Sequence, residues 1–127
     1  MAKTLKELVS AAESRAGASV SPKEAHDADG LILDVREAEE LRTSGTIAGA
    51  HHVPRGLLEF KADTTLEGAD PVLRAAHDEK RPVHVLCASG GRAVLAAAIL
   101  SEMGYDAHRI TGGLSGWKEA GLPVETN

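Results

Sequence analysis

One cysteine, three aromatic residues and no apolar run of membrane length set the first limits on this 127-residue chain. The lone Cys87 excludes an internal disulfide framework, a C-x-x-C dithiol and a cysteine-rich zinc site, and it fits a reducing compartment. With Phe60, Tyr105 and Trp117 as the whole aromatic set, the core must be aliphatic, and there is almost nothing on which a base could stack. Lys and Arg total 14 against 19 Asp and Glu, a formal charge of −5 with no basic run, which argues against nucleic acid as a partner. No stretch approaches the roughly 18 apolar residues of a membrane helix. The first fifteen residues mix Lys3 and Lys6 with Glu7 and Glu13 instead of presenting a signal core. The expectation is a cytoplasmic protein with no membrane partner.

What is present is an ordinary globular balance, 43% hydrophobic and 26% charged. The length lies under the roughly 150-residue unit that sets the prior for domain number, so one folding unit is expected. Such a chain buries about two-thirds of its unfolded surface and needs neither disulfide nor structural metal to hold a core.

Leu5, Leu8, Val9, Ala12 and Ala16 recur at helical spacing behind Thr4, an N-cap with Glu7 three residues on, so residues 4 to 16 read as an amphipathic helix ended by Gly17. Ser21-Pro22-Lys23-Glu24 opens a second, short helix. Leu31 to Val35 is a continuous apolar run, the pattern of a strand buried on both faces of a parallel sheet. A charged helical turn follows over Glu37 to Thr43, then a brief strand from Ala50 to Val53 stopped by Pro54. Pro54 opens a helical piece whose apolar side is Leu57, Leu58 and Phe60, and Pro71 to His77 is helical again. Val83 to Leu86 is a strand running directly into Cys87, and Gly91 to Met103 a helix closed by Gly104. Ala107 to Ile110 is the last strand, Gly112-Gly113 a tight turn, and Leu114 to Ala120 the last helix. The alternation argues an α/β layer with a mainly parallel sheet, whose ligand site lies beyond the carboxyl ends of the strands.

The segment Cys87-Ala88-Ser89-Gly90-Gly91-Arg92 stands between a buried strand and the best helix of the chain. A lone cysteine after an apolar strand is ordinarily a small buried hydrophobe. Here two glycines permit a tight turn whose N–H groups converge on one point, and the N-terminus of the following helix aims at the same place. Such a loop cradles an anion and stabilises a thiolate. Arg92 has the unfavourable sign for the first turn of a helix, so something negative should compensate it, either solvent counterions or an oxyanion held over Cys87 by a forked donor. The loop lacks the G-x-x-x-x-G-K-[ST] pattern of a nucleotide site, and Gly112 to Gly116 lacks G-x-G-x-x-G.

Four segments in register, Leu31 to Glu37, Gly45 to Pro54, the Cys87 loop and Gly112 to Trp117, resemble the motifs of single-domain rhodanese-like sulfurtransferases over roughly residues 20 to 125. The resemblance implies a three-layer α/β fold with a five-stranded, mainly parallel sheet flanked by helices. It divides the chain into an N-terminal helix, residues 1–19, and a rhodanese-like domain, residues 20–127, within one folding unit. It also implies that Cys87 is the nucleophile and that sulfane sulfur moves from an anionic donor such as thiosulfate, through a Cys87 persulfide, to a thiophilic acceptor such as cyanide or a thiol. Arg92 would assist, and the amides of Ala88, Ser89, Gly90 and Gly91 would bind the donor, with no cofactor and no metal. With no second cysteine, the acceptor must be an external thiol or protein. Two other readings stay open: a non-catalytic binding or sulfur-carrier module, and a phosphatase or arsenate reductase of the same fold group. In the latter, five residues separate the cysteine from the arginine; this chain has four, and its shorter loop resembles the sulfurtransferase branch.

Asp34 and Arg36 begin the turn after a central strand, where Asp34 serves as an N-cap and Arg36 as its exposed neighbour, a structural role near the site. Arg55 leaves the end of another strand and can add charge at the mouth. His51, His52 and His84 lack companions at metal-ligand spacing and read as packing or polar lining. Trp117 reads as core.

Overall fold

The computed structural model describes residues 2–126; Met1 and Asn127, the ends of the two expected segments, lie outside them. Helix α1 spans Leu5–Arg15, strand β1 Gly17–Val20 and helix α2 Pro22–Asp27. Strand β2 is Leu31–Asp34, helix α3 Ala38–Ser44 and strand β3 His51–His52. A 3₁₀ turn at Arg55–Leu57 leads into α4, Leu58–Ala62, and α5 covers Pro71–Glu79. Strand β4 is Val83–Leu86, α6 Gly91–Glu102, β5 Ala107–Ile110 and α7 Gly113–Glu119. The strands form one sheet in the order β1-β5-β4-β2-β3, every pair parallel. The five-stranded α/β architecture is therefore as the resemblance implied.

Period-two alternation sorts the two faces. Leu31, Leu33 and Val35 of β2 and its extension, with Val83 and Val85 of β4, point into a cluster closed by Leu58, Leu73, Ala93, Ala97 and Leu100. Leu86 and Ile110 point the other way, onto Ala25, Leu114 and Trp117. Trp117 is fully buried, and its indole N–H donates to the Pro123 carbonyl at 2.9 Å, so its one polar atom is satisfied. Cys87 continues the row Val83, Val85 to the carboxyl rim of the sheet, on the α6 face.

Three sequence expectations change. β1 was not read from the residues: Gly17-Ala18-Ser19-Val20 is short, partly exposed and poor in β-formers, and it is ordered by pairing along the edge of β5. The contact of α1 with α6 runs along Val9, Ala12 and Ala16 against Val94, Leu95 and Ala98, leaving Leu5 and Leu8 exposed. In α4 only Leu58 and Ala62, four apart and on one face, are buried; Leu57 and Phe60 face outward. Among the described residues no helix is long and apolar enough to cross a membrane.

Candidate active site

β4 ends at Leu86 and the chain turns over Cys87 to Gly90 before entering α6. Gly90 is the N-cap of α6 with φ +117°, a conformation that a side chain would strain. This turn folds Cys87 back beneath the helix. Its Sγ accepts from the Gly90 N–H at 3.0 Å and from the Ala93 N–H at 3.3 Å. Ala93 is the third residue of α6, so the sulfur stands where the oxygen of a capping serine normally sits. Cys87 is 1% exposed, while Ser89 and Gly91 form the outer rim of the loop. The amides of Gly91 and Arg92, the first two of the helix, have no acceptor among the described residues. The arrangement can hold an anionic sulfur species at the helix N-terminus.

A second glycine pair presses on this loop from behind. Leu114 N–H donates to the Cys87 carbonyl at 2.8 Å and Ser115 N–H to the Ala88 carbonyl at 3.2 Å, docking the first turn of α7 on the loop. A Cβ on Gly113 would stand 2.5 Å from the Cys87 oxygen and 2.7 Å from that of Ala88. The Gly112-Gly113 turn is thus a close approach between two backbones as well as a change of direction.

The negative group demanded by Arg92 is Glu40 of α3. Nη1 lies 2.8 Å from Oε2 and Nη2 2.7 Å from Oε1. The carboxylate also accepts from the Glu37 N–H at 2.8 Å. These bonds, those from Arg92 foremost, hold the Glu40 carboxyl down at about pKa 2, and the same pair raises that of Arg92. The forked donor of Arg92 is therefore committed to the protein's own carboxylate, a partner the sequence reading did not name.

Asp34 and Arg36 need a correction. Arg36 is not an exposed neighbour: it is 1% exposed and Asp34 2%. Arg36 Nη2 donates to Asp34 Oδ2 at 2.8 Å, its Nε reaches both carboxylate oxygens, and Nη2 also donates to the Gly45 carbonyl at 2.8 Å. Asp34 does not cap α3, whose N-cap is Glu37; it accepts from the Arg36 N–H instead. The buried pair fastens the segment from β2 to Gly45, and so carries the helix that presents Glu40. Arg55 is tied by its backbone to Val35 and by its guanidinium to Glu59 at 2.7 Å.

His51, His52 and His84 are engaged within the fold. His51 donates to Asp70 at 2.8 Å and His52 to the Arg36 carbonyl at 2.6 Å. His84 lies on the face opposite Cys87, packed over Gly30, and burial pushes its pKa down. Sequence reasoning missed Ala93, Glu40 and Gly113. Capping logic points to Ala93 once the helix start is placed at Gly91, and the charge problem of Arg92 points to a carboxylate; the contact at Gly113 leaves no local signal.

The chain matches the rhodanese-like domain family over residues 21–120. It is 34% identical to the thiosulfate sulfurtransferase GlpE of Actinobacillus succinogenes over 84% of this chain and 89% of that one. Its structure superposes with a TM-score of 0.86, at 28% identity, on a Rhodopseudomonas palustris protein of unknown function described as a possible tyrosine phosphatase, covering 98% and 96% of the two chains. It superposes at 0.70 and 31% identity on the polysulfide-sulfur transferase homodimer of Wolinella succinogenes, covering 96% and 87%. With the fold, the four motifs and these matches in agreement, the chain belongs to the rhodanese-like family.

Proposed function

We propose that this protein is a sulfurtransferase that carries sulfane sulfur on Cys87. The observation that carries the reading is the placement of Sγ under the first turn of α6, with the N–H groups of Gly90 and Ala93 aimed at it. The thiolate attacks the outer sulfur of thiosulfate or a similar anionic donor. A Cys87 S–S bond forms, the bond between the donor's outer sulfur and the rest of the donor breaks, and the remaining anion, sulfite in the case of thiosulfate, leaves with the electron pair. The persulfide is itself anionic, and the unclaimed amides of Gly91 and Arg92, with those of Ala88 and Ser89, are the donors offered to it. In the second half, cyanide or an external thiolate attacks the terminal sulfur, and Cys87 is returned as thiolate. The donor is a small anion and the acceptor a thiophile from outside the chain. No step requires a cofactor.

The relative described as a possible tyrosine phosphatase gives phosphatase chemistry a specific claim. Loop size speaks against it here: four residues separate Cys87 from Arg92, and Arg92 is held by Glu40.

Intact-mass analysis after incubation with thiosulfate tests the reading. The protein should gain one sulfur atom, lose it to cyanide or a thiol, and gain none as Cys87→Ser. Unmodified wild-type protein after thiosulfate, polysulfide and other sulfane donors would favour the binding-module reading; faster turnover of aryl phosphates than of thiosulfate would favour the phosphatase.

A further inference from the structure

Gly90 has no side chain, and Arg109 lies close to the side a Cβ would take. A Cβ built on Gly90 would stand 3.7 Å from the Cδ of Arg109 and 3.7 Å from the Gly112 nitrogen. Arg109 belongs to β5 and pairs in register with Val85, so its side chain leaves the sheet on the face of Val85 and Cys87, toward α6. Its stem runs near the left-handed turn from which the Gly90 N–H reaches Sγ.

The far end of the side chain is held from outside the matched family region. Nη2 donates to Glu13 Oε2 of α1 at 3.3 Å and to Ser19 Oγ of β1 at 3.4 Å, both long bonds. Its Nε is buried with no hydrogen-bond partner among the described residues. A buried donor left unpaired is costly, and a guanidinium held only by long bonds is not fixed by them. Packing of the stem is what places it. From this geometry we infer that Arg109 is a positioning residue for the Cys87 loop, acting through Gly90. The kinetic part of this inference rests on the sulfurtransferase reading.

The test compares full-length wild type with Arg109→Ala, Arg109→Val and Arg109→Met. It measures sulfur transfer from thiosulfate to cyanide, alkylation of Cys87 by iodoacetamide at one fixed pH, and amide hydrogen exchange over residues 88–94. Arg109→Ala and Arg109→Val should lower kcat about five-fold or more, with KM for thiosulfate within about two-fold. They should also alter the alkylation rate and speed exchange over 88–94 by about ten-fold, with β4 unaffected. Arg109→Met restores an unbranched stem without charge and should bring these quantities back to within about two-fold of wild type. The valine variant keeps strand propensity should alanine prevent folding. Unchanged kcat and exchange in Arg109→Ala or Arg109→Val overturns the inference. So does a methionine variant as impaired as alanine, or a raised KM at constant kcat, either of which makes the guanidinium a donor-binding cation. A wild type that moves no sulfur sinks the functional reading alone, since exchange and alkylation still decide the role of Arg109.

Discussion

Arg92 and Glu40 meet in a two-pronged ion pair, both terminal guanidinium nitrogens within 2.8 Å of a carboxylate oxygen, that joins the first turn of α6 to α3. The pair cancels a cation otherwise set against the helix dipole and fixes the entry of the helix whose amides face Cys87.

Glu40 makes the first prediction, through pH. Its carboxyl lies at about 2 in the folded protein against 4.5 ordinarily, because Arg92 bonds its charged form. A depressed acid stabilises the fold fully above the ordinary value and loses that contribution as pH falls toward 2. Chemical denaturation between pH 5 and pH 2.5 should show wild type losing more stability than Glu40→Gln over that interval. Parallel curves for the two would remove the pair as the cause.

Asp34 and Arg36 are buried together, so removing one leaves a bare charge inside. Asp34→Asn or Arg36→Met should each lower unfolding free energy by about 3–5 kcal/mol, while the double replacement Asp34→Leu with Arg36→Met costs clearly less than their sum. Urea unfolding measures all three. Additive losses would mean the two residues act independently.

Gly113→Ala should damage the site more than the fold. The new methyl would collide with the Cys87 and Ala88 carbonyls at a residue with φ +57°, pushing α7 off the loop. Sulfur transfer is expected to fall by about ten-fold or more, since amide donors act only when they lie within about 2.7–3.1 Å of where charge develops. Gly56→Ala, with nothing within 4 Å, is the control. Equal activity in the two variants would show that the contact does not govern the loop.

Tyr105 predicts behaviour in alkali. Burial disfavours its phenolate and raises its pKa to about 12, and its hydroxyl donates to the Ala62 carbonyl at 2.8 Å. Stability is therefore whole below about pH 10, the unfolded value, and falls as pH rises through 12. Tyr105→Phe should lose about 1 kcal/mol at neutral pH and show a shallower decline above pH 10. A steeper decline in the variant would contradict the sign.

Loop length predicts the last result. One glycine inserted between Gly90 and Gly91 moves Ala93 and the helix N-terminus relative to Sγ, so sulfur transfer should drop while a larger oxyanion is admitted more readily. Retained transfer in a folded insertion variant would show that ring size is not the determinant.

Strands β2 and β4 and helix α6 were legible from local pattern alone, because largely apolar runs of four or five residues and an alanine-rich stretch bounded by glycines have few other solutions. The Cys87 loop was legible for the same reason: its glycines and the helix after it lie next to one another in the chain. Nothing local marks Gly17-Ala18-Ser19-Val20 as a strand, since its order comes from hydrogen bonds to β5, some 90 residues away. Nor does anything local tell Arg36, buried on Asp34, from Arg92, bound to Glu40, or Arg109, near Gly90; the three side chains are chemically the same. Sequence alone determined the alternating α/β chain and the cysteine at a strand's carboxyl end, because those follow from periodicity and steric allowance. Only the tertiary structure decided that Glu40 meets Arg92 and that the backbone at Gly113 presses on the loop, because those contacts are made by residues far apart in the chain that meet only when the layers pack.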